Sequence, residues 1–340
     1  ESVIFDLKDP KAKEIIGDTD YQALLDDIDL LDVAGEQWSM DKVNKGELTP
    51  MFFGSAMTNF GVRGFLEEYL RLAPAPQPRM SSNGLISPDD EKFSGFIFKI
   101  QANMNPAHHD RLSFIRICSG KFERGMSVYH MQGGKAVKLS QPQQFLAQDR
   151  QIIDTAYPGD IVGLFDPGIF GIGDTLCMPS HKFKFADFPV FPPERFARVS
   201  AKDTMKRKQF VKGIMQLTQE GAVQLFQQAG AGMESYIVGT VGQLQFDVLE
   251  YRLKSEYNTE IVMNMQPFEV ARWLRFKDNR PVTPESLRGA DRGMFVYDMK
   301  DRPVLLVNNE WALGWIQDNN PDLEMFPVPP EKQDAEDDMK

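Results

Sequence analysis

Cysteine is nearly missing from this chain. Cys118 and Cys177 are the only two in 340 residues, too few for a disulfide scaffold, so a reducing cytoplasm is the expected compartment. Long apolar runs are missing as well. No stretch approaches the ~18 residues of a membrane-crossing helix, so no membrane partner is expected. There is no signal peptide, and the chain opens on Glu1 rather than Met, which reads as part of a longer protein. A basic surplus is also lacking. The formal net charge of −11 excludes the generic coating of nucleic acid that needs a basic surface. No Ser-His-Asp set and no paired carboxylates stand out for hydrolytic chemistry, so no catalytic residue is assigned.

What is present is an ordinary globular composition, long enough for two to three domains with real cores. Charge is spread unevenly. Residues 1–50 hold about thirteen acids against five bases, whereas residues 182–292 hold about seventeen bases against thirteen acids. A nucleic-acid contact belongs in that later region.

The stretch 49–78 organises the N-terminal part. Met51, Phe52 and Phe53 read as a buried strand, Gly54-Ser55-Ala56 as a tight small-residue turn, and the following residues as a helix. Val62, Phe65, Leu66, Tyr69 and Leu70 fall at i, i+3, i+4, i+7 and i+8, one helical face. Thr58 or Asn59 is the expected cap, and Pro74, Pro76 and Pro78 forbid continuation. Strand, turn and amphipathic helix form the last βα unit of a nucleotide-binding α/β domain, expected over residues 1–78 with an acidic insert. In residues 20–33, Asp26, Asp27, Asp29 and Asp32 interleave with a helical apolar stripe. They lack the D-x-[DN]-x-[DN]-G order of a calcium loop, so a solvated helix face is expected.

A polar linker over 79–91 is followed by short strands with glycine turns over 92–180, about seven in number without helices. That spacing means a small antiparallel β-barrel. From 185 to 327, strands alternate with helices at 203–219, 243–257 and 310–317, the last capped by Asn308 or Asn309. Together they give an α+β domain. The tail 328–340 is acidic and expected to be disordered.

Several residue sets carry candidate chemistry. Backbone N–H groups of the Gly54-Ser55-Ala56 turn suit a guanine carbonyl, although a plain turn is the commoner reason for three small residues after a strand. Gly168-x-x-Gly171-x-Gly173 runs into a strand rather than a helix, so it is expected to be a barrel turn and not a phosphate loop. Gly239-Thr240-Val241-Gly242 does precede a helix, although helix–sheet packing is the commoner reason for such glycines. His108, His109, Cys118, His130, Cys177 and His181 lack a C-x-x-C pair, and no metal site is assigned. Lys206, Arg207, Lys208 and Lys212 form a basic helix start. Arg272, Arg275, Lys277 and Arg280 form a second basic set, interleaved with Trp273 and Phe276. Phosphate contact plus base stacking from such sets suits RNA.

Taken together, several segments resemble the translational GTPases, most closely the bacterial class II release factors (peptide chain release factor three). GSAMTNFGV is similar to the family's fifth guanine-nucleotide motif. KFSGFIFKIQANMNPAHHDR, SGKFERGM, AYPGDIVGL and IGDTL resemble its second-domain phrases. IVGTVGQLQFDVLEYRLKSEYN resembles its third-domain helix motif. The resemblance runs from about residue 49 to about 322. It implies the edge of a P-loop-type G domain, then translation-factor domain II, then a domain like elongation factor G domain III. It further implies GTP-dependent removal of stop-codon-reading release factors from the ribosome, with GTP or GDP and Mg2+ as cofactors of the longer protein. Ribosome and release factors are then the partners, and a monomer is expected.

The sequence departs from that family in one respect. It contains no G-x-x-x-x-G-K-[ST], no D-x-x-G followed by histidine, and no N-K-x-D, so this chain alone is expected to bind no nucleotide cofactor. The alternatives are a non-enzymatic ribosome-binding fragment and a GTPase of the elongation factor G type. Elongation factor Tu would place a second barrel where helices are expected here.

Overall fold

Glycines and short polar caps set the helix ends in the N-terminal part. Helix α1 (Pro10–Ile16) starts with proline at its first position, and the Asp9 carboxylate accepts from the Lys11 N–H. Gly17 breaks it at φ 82°, and α2 (Asp18–Ala34) follows until Gly35. Helix α3 (Met40–Lys45) runs from the Ser39 cap to Gly46 in the left-handed region. Asp26, Asp27, Asp29 and Asp32 lie exposed on α2, the solvated face that the interleaved pattern describes.

These elements belong to a computed structural model that describes residues 9–103, 111–139, 142–146, 149–186, 188, 190–228 and 235–330. The chain divides into two units, Glu1–Gln77 and Pro78–Lys340. In the first, the expected strand at Met51–Phe53 is extended chain outside any ladder. Met51 and Phe53 are 77% and 80% exposed. Among the described residues of that unit no neighbouring strand supplies the hydrogen bonds a ladder needs. Helix α4 (Val62–Leu72) begins later than Thr58 or Asn59 would place it, with Gly61 at the N-cap and no side-chain cap. It ends at Ala73, before Pro74. Its apolar face is formed as the periodicity predicts, yet Phe65, Leu66, Tyr69 and Leu70 stay exposed.

In the second unit, part of the expected linker is structured. Arg79–Ser81 pairs with Gly84–Ile86 as a hairpin whose turn uses Gly84 at φ 93°. Ile86 is buried with Phe96, Cys177, Phe183 and Phe185. The barrel sheet runs in the order Lys135–Lys138, Ser127–His130, Thr175–Cys177, Ser94–Ala102, Arg111–Ser119, Ile161–Phe165, Gln143–Leu146, Asp149–Ile152. A two-stranded ladder, Phe122–Glu123 with Thr155–Ala156, adds to the wall. Around it, residues such as Ile97, Ile115, Ile117, Val128, Val162 and Leu176 point to one core, with the period of two expected of a sheet rolled on itself.

The C-terminal part is one antiparallel sheet of eight strands. Its order is Ile261–Gln266, Arg195–Ala201, Ser235–Thr240, Gln224–Gln228, Met294–Asp298, Pro303–Val307, Val270–Phe276, Leu323–Phe326. Helices α5 (Arg207–Gln219) and α6 (Gln243–Tyr257) cover one half through Phe210, Ile214, Leu217, Phe246, Leu249 and Leu253. The last helix, α7 (Glu310–Asn319), capped by Asn309, covers the other half. The uncovered faces of the two halves meet on Phe196, Phe226, Ile237, Trp273, Val304 and Leu306. The Gln224–Gln228 strand joins the halves.

Candidate functional site

The Gly54-Ser55-Ala56 turn is closed by backbone. The Ser55 N–H donates to the Phe60 carbonyl at 2.9 Å, so this amide is already committed and is not the donor a guanine carbonyl would meet. Gly61 shapes the same loop: it sits at φ 71°, and a Cβ there would stand 2.5 Å from the Phe53 oxygen, which leaves only glycine. Residues 49–56 with Gly61, Val62 and Phe65 line an open cavity of about 630 Å³. Its lining combines the small Gly54, Ser55 and Ala56 with the apolar Met51, Phe52, Phe53, Val62 and Phe65. The motifs that would cradle phosphates and Mg2+ are not in the chain's sequence.

The glycine-rich loop 168–173 has its amides occupied. The Asp166 carboxylate accepts from the Gly168 and Ile169 N–H groups at 2.8 Å each, and Asp174 accepts from Gly171 at 2.7 Å. Two fixed carboxylates stand where a phosphate would bind, and Thr175–Cys177 continues as strand. At 239–242, Gln245 turns back so that its side-chain oxygen accepts from Val241 and Gly242. A Cβ on Gly239 would meet Phe226 and Pro193 at 2.9 Å. Packing accounts for that glycine.

Among the described residues the cysteines and histidines do not converge. Cys118 is pushed up to about 11 by burial. Burial also raises Cys177, whose thiol donates to the Tyr129 carbonyl. The buried His130 shares a 2.6 Å hydrogen bond with Asp174. His108 and His109 lie outside the described residues. Among the described residues no group of three His, Cys, Asp or Glu is placed to share a metal.

The two basic sets differ in kind. Lys208 and Lys212 project from the exposed side of α5, with Arg207 exposed at its first turn. Lys206 bends to the Asn258 carbonyl at the end of α6, at 2.6 Å. The second set is neutralised locally. Arg272 pairs with Glu310 at 3.0 Å and Arg275 with Glu324 at 2.8 Å. Lys277 donates to the Pro321 carbonyl, and Arg280 holds Asp278 and Asp322. Trp273 and Phe276 are 2% and 1% exposed, so neither can stack on a base. That corrects the expectation of aromatic interleaving: in a strand, odd and even positions face opposite sides, and both rings face cores.

A feature absent from the sequence reading joins barrel to helices. Arg111 donates to Asp166 at 2.8 Å, to the Phe170 carbonyl at 2.7 Å, and across to Gln219 at the end of α5. Glu220, its side chain 5% exposed, accepts from Arg252 at 2.7 Å and from the Ala102 N–H of the barrel. Arg252 also grips Glu256, and Asn103 of the barrel donates to Glu256 and to the Tyr257 hydroxyl. Burial opposes the Arg252 charge, but Glu256 and Glu220 together raise its pKa above the ordinary guanidinium value. Tyr257 is pushed up to about 12, mainly by burial. The network draws on residues scattered over 102–257, so no local pattern reveals it.

Comparison with known proteins bears on this arrangement. Residues 92–179 match the family described as elongation factor G domain 2, and residues 185–317 match "Class II release factor RF3, C-terminal domain". A peptide chain release factor 3 of Symbiobacterium thermophilum is 50% identical over 315 residues, 93% of this chain and 59% of that protein. The chain belongs to the peptide chain release factor 3 family. Release factor 3 proteins of Listeria welshimeri and Ligilactobacillus salivarius are 50% and 47% identical, over 94% and 90% of this chain and 60% and 57% of theirs. The chain therefore spans about 60% of the length of these release factor 3 relatives. A crystal structure from Thermus thermophilus aligns with TM-score 0.50 at 19% identity, covering 65% of this chain and 31% of that one, a likeness of fold alone. Barrel followed by α+β domain is thus the order that the two family matches give. Among the described residues no helix is long and apolar enough to cross a membrane.

Proposed function

We propose that this chain supplies the ribosome-docking part of a translation termination factor. The longer protein uses GTP, with Mg2+ at the phosphates, to remove stop-codon-reading release factors from cytoplasmic ribosomes. The observation that carries this reading is the family membership over almost the whole chain. Two surfaces support docking. The start of α5 presents Arg207, Lys208 and Lys212, suited to phosphates. The outer side of α6 exposes Leu244, Val248 and Tyr251 at i, i+4 and i+7, an apolar stripe beyond the one it buries. The chain's own residues carry no hydrolytic step, because they provide one wall for a base and none for phosphates.

Co-sedimentation with bacterial ribosomes tests this. Saturable binding is expected, and Arg207→Gln, Lys208→Gln and Lys212→Gln together should weaken it and flatten its salt dependence by roughly one unit of slope per lost phosphate contact. Unchanged binding and slope would return these side chains to an ordinary solvated face.

A further inference from the structure

The chain enters the barrel directly after Pro74, Pro76 and Pro78 and leaves it through residues 182–188. These two connectors are laced to each other as well as to the barrel. Ser81 bridges to Phe185. The Ser82 N–H donates to the Lys184 carbonyl at 2.8 Å, and the Ala186 N–H donates to the Met80 carbonyl at 3.1 Å. The Lys184 N–H donates to Ser82 Oγ, and Asn83 Nδ2 reaches the Lys182 carbonyl. Entry hairpin and exit segment therefore form one ribbon, whose strands are about a hundred residues apart in sequence.

Arg79 sits at the head of that ribbon. Its guanidinium lies 4.0 Å from the Phe96 ring centroid on the barrel and 5.1 Å from that of Phe188 on the exit connector. It also donates to the Ala186 carbonyl at 3.3 Å, while its Nε is buried without a hydrogen-bond partner. Phe96 and Phe188 are themselves in contact, 5.0 Å between centroids. A planar cation packed against two touching rings is oriented, because guanidinium stacks by its face and loses the contact when tilted. The first residue after the proline connector is thus fixed in direction by a ring that belongs to the other connector.

We propose that Arg79 is a positioning residue that couples the two connectors of the barrel, so that the entry path of the chain sets its exit path without passing through the barrel core. The coupling stands on these contacts alone. Its use, to carry nucleotide state toward the C-terminal domain, rests on the function proposed above. Proline stiffness before Arg79 suits such a transmission, since a PPII-like segment passes orientation where a glycine-rich one would absorb it.

Hydrogen exchange of the whole chain, read by mass spectrometry, tests the coupling without nucleotide or ribosome. A failure there leaves the proposed function standing, and the reverse also holds. In Arg79→Ala and in Phe188→Ala, peptides over 79–86 and over 180–186 should both exchange about tenfold faster, the scale of a desolvated cation–π contact. Peptides within Ser94–Ala102 and Arg111–Ser119 should not change. Because one contact is removed from either side, the double variant should exchange no faster than the faster single. A response confined to 79–86, or single effects that multiply in the double variant, would overturn the proposal. If Arg79→Ala also loosens the barrel strands, Phe188→Ala decides. It must expose 79–86 with the barrel strands intact, and otherwise the coupling is refuted.

Discussion

Asp298 illustrates how one buried charge is kept. Its carboxylate accepts from Trp273 Nε1 at 2.9 Å, from Arg302 Nε at 2.7 Å, and from the Lys300 and Arg302 N–H groups at 2.9 and 3.0 Å. Burial pushes its pKa up, but Arg302, Trp273 and the two amides outweigh that and hold it below the ordinary value. A carboxylate depressed in the folded state contributes stability that is complete above its unfolded pKa of about 3.9 and is lost as pH falls through the lower folded value. Asp298→Asn should therefore cost roughly 1–3 kcal/mol at neutral pH, the scale of a lost charge-assisted hydrogen bond. That cost should shrink in acid, as urea denaturation at neutral pH and near pH ~3 would measure. An equal cost at both would show that the charge is immaterial. Asp298 and Trp273 are 25 residues apart, and no local motif announces the pair.

Among the elements, those set by local chemistry are legible and those set by long-range pairing are less so. The expected helix over 243–257 is the observed α6, and Asn309 caps α7 as its side chain predicts. Strands within the barrel fall close to their apolar runs, because glycine and proline turns bound them. The Gln224–Gln228 strand escapes notice: only Leu225 and Phe226 are apolar, and it owes its conformation to Ser235–Thr240 and Met294–Asp298 on either side. In the 79–91 stretch, Ser, Asn and Gly read as linker, although Asn83-Gly84 is also a hairpin signal.

The basic sets show the same limit at the candidate site. Arg272, Arg275 and Arg280 look available in sequence until Glu310, Glu324 and Asp322 arrive from elsewhere. The junction of barrel and helices is the element-scale claim most open to test. Arg252→Met leaves the buried Glu220 side chain and the half-buried Glu256 without their cation, which should cost about 3 kcal/mol, the low end of the scale for a broken buried pair. Calorimetry should then separate barrel and C-terminal domain into two transitions, against the single transition expected of the unaltered chain. One unshifted transition would mean the network does not join them.

For the molecule as a whole, the family assignment and the local structure divide the chain differently. Residues 49–65 line an open cavity, with an apolar α4 face exposed. The described residues from Pro78 onward form a body with five packed cores and an ionic junction. We propose the first as one wall of a nucleotide pocket and the second as the carrier of the docking surfaces. We propose that this body occupies the factor site of the ribosome without turning over nucleotide. Competition measures this most directly. On ribosomes carrying a stop-codon-reading release factor, the chain is titrated against an intact release factor 3 and recycling is followed in the presence of GTP. Concentration-dependent inhibition of recycling is expected, with no GTP hydrolysis by the chain itself. Full recycling at chain concentrations that saturate the ribosome in co-sedimentation, or GTP hydrolysis by the purified chain, would contradict the claim.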